Sequence, residues 1–209
     1  MLGKYFPEEK EEYAENKTVI GVALTRRGFG ECGGGEHSLV CEAITSAIRE
    51  FAERCPGSEI RILNVCGDVA DGDRGICEHI RDRLIGSDCC PEIVDYDGRN
   101  IEMFVEKMSE CTLMVASRMH AGIVALGLGV PVFQISYAEK IANFYKHCQL
   151  QDIYMRDASM IRKEELLEFI LKGMAGDLSV ISEERRGKLR EIGAIVSSDL
   201  RGAASELNS

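Results

Sequence analysis

Short apolar, β-branched runs alternate along this chain with stretches whose apolar residues recur at helical spacing, and little sequence separates one from the next. A run that is apolar at nearly every position, as residues 18–24 are, is stable as a strand only when both of its faces are covered. Helices connecting successive strands supply that cover. The spacing predicts strands over 18–24, 60–65, 92–95, 113–116 and 131–136, and helices over 38–54, 76–84, 100–111 and 119–128. Pro56-Gly57 stops the first helix, and Val130-Pro131 starts the strand that follows the fourth. Beyond Tyr137 the pattern turns helical, over 138–147, 162–172 and 182–200. Strand and helix in strict alternation define an α/β protein with an open, mostly parallel Rossmann-like sheet and flanking helices. One such layer fits 209 residues. The expected organisation is a charged N-terminal tail or linker over 1–17, a Rossmann-like domain over 18–180, and a C-terminal helix with a polar tail over 181–209.

Composition narrows the classes of partner. The chain carries 25 Lys and Arg against 35 Asp and Glu, a net charge of −10. A surface that holds nucleic acid or anionic lipid through nonspecific charge is therefore disfavoured, and any anion must be met by a local cluster of cations. The nine cysteines are odd in number and form no pair of Cys-x-x-Cys motifs, so they read as reduced thiols acting as small apolar residues. No signal-peptide core and no transmembrane span is present, and a cytoplasmic location is expected. No metal site is expected.

Chemistry-bearing residues gather in one stretch. The strand over 113–116 ends in Ser117-Arg118-Met119-His120-Ala121, where a helix rich in Ala and Gly begins, and the next strand ends in Ser136-Tyr137-Ala138-Glu139-Lys140. In open α/β sheets ligands bind at the carboxyl edge of the strands. A helix N-terminus there offers unpaired backbone N–H groups and a partial positive charge, so an anion can be held by amides, dipole and guanidinium together. Arg118, His120 and Lys140 thus converge on one rim, although each alone would pass for an ordinary surface or structural residue.

Other motifs are weaker. Gly28, Gly30 and Gly33 match the spacing of a dinucleotide fingerprint, but Arg26 and Arg27 precede them, and a loop over the cleft is the better reading of residues 28–35. Asp68, Asp71 and Asp73 resemble the start of a calcium loop without its closing Glu, which leaves a polar loop. His37 either starts a helix or lines the cleft. Cys89-Cys90 before Pro91 reads as a turn, and the charge run over 183–191 as a solvated helix face.

The segment Ser117-Arg118-Met119-His120-Ala121, followed by Gly129-Val130-Pro131 and by Tyr137-x-x-Lys140, resembles the polysaccharide pyruvyl transferase family, whose hallmarks are Arg-x-His-Ala and a downstream Tyr-x-x-Lys at the separation found here. The opening strand, followed by Arg26-Arg27, is similar to the strand that begins the C-terminal, donor-binding half of these enzymes. The resemblance runs over about residues 17–150 and implies one half of a two-domain GT-B-like fold. It implies transfer of a pyruvyl group from phosphoenolpyruvate to two hydroxyls of a sugar, giving a pyruvate ketal in the biosynthesis of envelope or exopolysaccharide. By the same resemblance Arg26, Arg118, Lys140, Ser136 and Tyr137 bind phosphoenolpyruvate, His120 is the general acid, and no cofactor is needed beyond that donor. Whether Arg26 or Arg27 faces the donor stays open. The resemblance also implies that the acceptor-binding half lies outside this chain, so that the chain is a fragment, half of a split enzyme or a reduced homologue, completed by a partner or by a second copy of itself. Two other readings stand beside it, a nucleotide-sugar-binding domain of glycosyltransferase type and a catalytically silent binding module.

Overall fold

The computed structural model describes residues 18–26, 36–67, 72–96, 99–148, 150, 154–178, 182, 184, 185, 187 and 189. Elements follow in the order β1 (Val19–Ala23), α1 (Glu36–Arg54), β2 (Ser58–Asn64), α2 (Arg74–Leu84), β3 (Cys89–Asp95), α3 (Ile101–Ser109), β4 (Leu113–Ala116), α4 (Met119–Leu128), β5 (Val132–Ser136), α5 (Glu139–His147), β6 (Tyr154–Asp157), a 3-10 turn (Ala158–Met160) and α6 (Lys163–Met174). The six strands form one sheet in the order β3-β2-β1-β4-β5-β6, and every adjacent pair is parallel. The sheet is thus wholly parallel, and its order reverses between β1 and β4, which makes their carboxyl ends the switch point where such sheets bind ligands.

The period-2 geometry of a strand sorts the core into two layers. Ile20 and Val22 of β1, Leu113 and Val115 of β4, and Phe133 and Ile135 of β5 join a cluster with α1, α2 and α6. The alternate residues Val19, Ala23, Met114, Ala116 and Val132 join a second cluster with α3, α4 and α5. All five residues of β1 are buried, in keeping with a central parallel strand.

The charged tail expected over 1–17, the glycine loop over 28–35 and most of the helix and tail expected over 181–209 lie outside the described residues, as do Arg27, Asp68, Asp71 and the side chain of His37. Within the described chain two expectations fail. Residues 154–157, placed in a helical region by sequence, form β6, paired with β5 from Phe133↔Tyr154 to Ser136↔Asp157. An edge strand has a partner on one side only, and this one leaves Arg156 and Asp157 exposed, so it never shows the apolar run of its buried neighbours. Tyr154 holds it down, with its ring 4.9 Å from that of Phe169 on α6. Cys89, Cys90 and Pro91 likewise belong to β3, paired with Ser58, Glu59 and Ile60 of β2. Their Pro, read as a turn signal, is tolerated because β3 is the opposite edge of the sheet.

The helix that carries the site packs unusually closely. At Gly122 a Cβ would overlap Gln134 Oε1 and lie 2.7 Å from the Tyr145 hydroxyl. Those two groups form a buried hydrogen bond, Tyr145 donating to Gln134 at 2.7 Å, that ties α5 to β5 beneath α4. Gly129 closes α4 with φ of 85°, a left-handed conformation that suits glycine. Replacing Gly122 by Ala is expected to lower unfolding stability by about 1–3 kcal/mol through overpacking, read as a lower urea midpoint at unchanged m-value.

The described cysteines are free thiols. Burial, with the nearby Asp73 and Asp95 charges, pushes the Cys77 thiol up to about 12, and burial pushes Cys111 up to about 11. Cys90 is exposed. Iodoacetamide at pH 8 is therefore expected to label Cys90 in the native protein and to reach Cys77 and Cys111 only on unfolding, as mapped by peptide mass spectrometry.

Candidate active site at the β1–β4 switch point

The carboxyl ends of β1 and β4 are fastened to each other before they diverge. Backbone N–H groups of Ser117 and Arg118 both donate to the Ala23 carbonyl, at 2.9 and 3.1 Å. The Thr25 N–H donates back to Ser117 Oγ at 2.9 Å, and both Thr25 and Ser117 are fully buried. This cross-tie places Arg26 and Arg118, which follow the two strands, side by side.

One carboxylate joins them. Asp73, immediately before α2, has no exposed surface. Arg118 donates to it through Nε to Oδ2 and Nη2 to Oδ1, both at 2.6 Å, a two-pronged charge-assisted pair. Oδ1 also accepts the Arg26 backbone N–H at 3.2 Å. Burial works against the charge on Arg118, but the hydrogen bonds and negative charge of Asp73, with smaller contributions from the neighbouring Cys66 and Tyr137, raise its pKa above the usual value. Asp73, read from the sequence as part of a polar loop and not as a calcium ligand, stands in the loop before α2 as the buried counter-ion of Arg118, and its side chain makes no cap bond to α2.

Arg118 is also the N-cap of α4 and makes no side-chain cap bond. The first-turn N–H groups of α4 therefore have no side-chain acceptor from that position. His120 is the second residue of α4, two positions after Arg118, and is exposed. The next strand end contributes Ser136, buried, whose hydroxyl donates to the Ala138 carbonyl at 3.2 Å. Tyr137, half-buried, packs against the α3–α4–α5 cluster. Lys140 is exposed in the first turn of α5. Arg26 and Arg118 are thus joined through one buried residue, while His120 at the start of α4, Ser136 and Tyr137 at the end of β5 and Lys140 at the start of α5 occupy the same carboxyl edge of the sheet. Among the described residues no group of three or more His, Cys, Asp or Glu side chains is placed to hold a metal ion.

Sequence reasoning missed Asp73 as a site residue. The available signal was its place just before a helix, in a loop that follows a buried strand, where a carboxylate ends up at the carboxyl edge of the sheet.

Fold and edge together define an α/β protein with a doubly wound, wholly parallel sheet and an arginine-bearing switch point. The family model described as Polysaccharide pyruvyl transferase matches residues 54–139, so the likeness read from the Arg-x-His-Ala segment holds over a stretch that contains Asp73, Arg118, His120, Ser136 and Tyr137. Lys140 lies one position beyond it, whereas Arg26 and the whole of β1 precede it. Comparison with curated proteins finds no match. Among solved structures the chain is similar to a putative UDP-N-acetylglucosamine 2-epimerase from Listeria monocytogenes, at 14% identity and a TM-score of 0.47, with 96% of this chain and 51% of that one covered. The chain therefore spans about half the length of that protein. No helix among the described residues is long and apolar enough to cross a membrane.

Removing one member of a buried ion pair strands the other. Arg118→Ala is expected to cost about 3 kcal/mol in chemical denaturation, because it leaves Asp73 buried without its guanidinium. His120→Gln and Lys140→Ala, both at exposed positions, are expected to stay within about 0.5 kcal/mol of the parent.

Proposed function

We propose that the chain is the donor-binding part of a polysaccharide pyruvyl transferase, taking phosphoenolpyruvate as donor and passing its pyruvyl group to two hydroxyls of a sugar. The observation that carries this reading is the guanidinium of Arg118, held at the switch point beside the N-terminus of α4, to which the N-cap side chain gives no cap bond, inside the stretch matched by the family model. Phosphoenolpyruvate carries a carboxylate and a phosphate. It suits a site that combines a directional guanidinium with the backbone N–H groups of α4 and the exposed ammonium of Lys140.

In the proposed mechanism the imidazolium of His120 gives a proton to the vinyl carbon, C3, and leaves an oxocarbenium-like centre at C2. A sugar hydroxyl forms the first C–O bond to C2 and returns its proton to His120. The second hydroxyl then closes the ketal as the C2–O bond to phosphate breaks, and its proton leaves with the phosphate. Arg26, Arg118 and Lys140 take up the charge of the departing phosphate. Ser136 and Tyr137 border the donor from the β5 side. The acceptor sugar binds against a surface supplied by a further domain, a partner chain or a second copy.

Phosphoenolpyruvate at one hundred times its Kd is expected to stabilise the protein by about 2.7 kcal/mol, a rise in Tm of roughly 5–10 °C for a chain of this size. Arg118→Lys, which keeps the charge but not the planar fork, and Lys140→Ala should each reduce the rise. His120→Gln should keep it and abolish ketal formation once an acceptor-binding half is supplied. A Tm unmoved by millimolar phosphoenolpyruvate but raised by nucleotide sugars would replace this reading with the nucleotide-sugar one.

A further inference from the structure

We propose that Asp73 is the positioning residue of the donor site, setting the plane of Arg118 and the path of the backbone at Arg26 before any ligand arrives. The inference rests on the donor reading above and adds to it a residue on which neither arginine could be read to depend from sequence. Three donors meet one carboxylate with no exposed surface: Arg118 Nε and Nη2 at 2.6 Å each and the Arg26 N–H at 3.2 Å. Asp73 is itself fixed on both sides, its N–H donating to the Cys66 carbonyl at 2.9 Å and its carbonyl accepting the Cys77 N–H at 3.0 Å in the first turn of α2. The carboxylate therefore has a defined direction, imposed by β2 and α2, and transmits it to residues that follow β1 and β4.

The chemistry of the guanidinium says what this direction accomplishes. The group is planar, with five N–H bonds. A carboxylate across Nε and Nη2 occupies one edge of the plane. The two N–H bonds of Nη1 and the second of Nη2 then point away from Asp73, and one from each nitrogen forms a second, end-on fork spaced for a carboxylate or phosphate. A side chain with the rotamer freedom of arginine would otherwise have to be ordered at each binding event. With Asp73 in place, a donor anion meets a fork whose orientation is already set.

The experiment uses the whole chain and titrates phosphoenolpyruvate calorimetrically into the parent, Asp73→Asn, Arg118→Lys and the double variant. Asp73→Asn is expected to weaken binding by about tenfold or more, whereas adding it to Arg118→Lys should weaken binding by much less, only the part that acts through the Arg26 backbone remaining once the Arg118 fork is gone. A purely structural role predicts instead that Asp73→Asn lowers Tm with the Kd of the folded fraction unchanged, and that result overturns the proposal. Should Asp73→Asn not fold, the parent alone decides by NMR. A slowly exchanging Arg118 Nε–H both before and after saturation with phosphoenolpyruvate supports the proposal, and loss of that protection on binding overturns it. No binding of phosphoenolpyruvate by the parent overturns the donor reading and the proposal together; binding by the parent with Asp73→Asn unaffected overturns the proposal alone.

Discussion

A carboxylate with no exposed surface is compatible with a stable fold only if the protein supplies the hydrogen bonds that water would have given it. Asp73 meets that condition with the guanidinium of Arg118 and the backbone N–H of Arg26, and much of the local architecture follows from having to satisfy it. The loop after β2 must bring Asp73 under the ends of β1 and β4. Those ends must be fastened together, as the Ala23 carbonyl and the Ser117 hydroxyl fasten them. Arg118 must also extend as the N-cap of α4 and not wind into the helix. The site is thus a consequence of burying one acid where three connections meet.

The remainder of the sheet keeps that meeting point rigid. The alternate residues of β1, β4 and β5 feed two separate apolar clusters, so a one-residue slip of any central strand would exchange its two faces. Beneath α4 the packing leaves no slack, since Gly122 lies where any side chain would strike the Gln134–Tyr145 pair. That pair connects β5, which ends in Ser136, with α5, which carries Lys140. The Arg118 half of the rim and the Lys140 half are therefore held by contacts through the same buried amide.

The fold was legible wherever burial is two-sided. Strand β4 and helix α4 have the boundaries their apolar spacing predicts, because a four-residue run of buried residues and a helix opened by Arg118 and closed by Gly129 leave no competing period. Legibility fails at the edges of the sheet. There β3 contains Cys90 and Pro91, and β6 exposes Arg156 and Asp157, so half of the neighbours that would demand apolar residues are missing. In the site, Arg118, His120 and Lys140 stood out because strand ends and helix starts can be placed from sequence. Asp73 did not. Its partner lies 45 positions away, and only the crossing of the sheet by α2 and α3 brings the two together.

The same pair changes what the net charge of −10 means. Read as a sequence, Arg26, Arg118 and Lys140 form a cluster of cations set against an acidic chain. In the structure the charge of Arg118 is balanced at 2.6 Å by Asp73, and at a distance the two form a nearly neutral dipole. Long-range attraction of an anion then falls chiefly to exposed groups such as Lys140 and is screened over about 8–10 Å at physiological salt. In the proposed donor site Arg118 would act at contact, by direction more than by charge, with a hydrogen-bonding geometry that survives ionic strength that suppresses steering. On the proposed donor reading, an anion is recognised at this switch point by the direction of the Arg118 fork once it has arrived, and is drawn there by exposed groups such as the Lys140 ammonium.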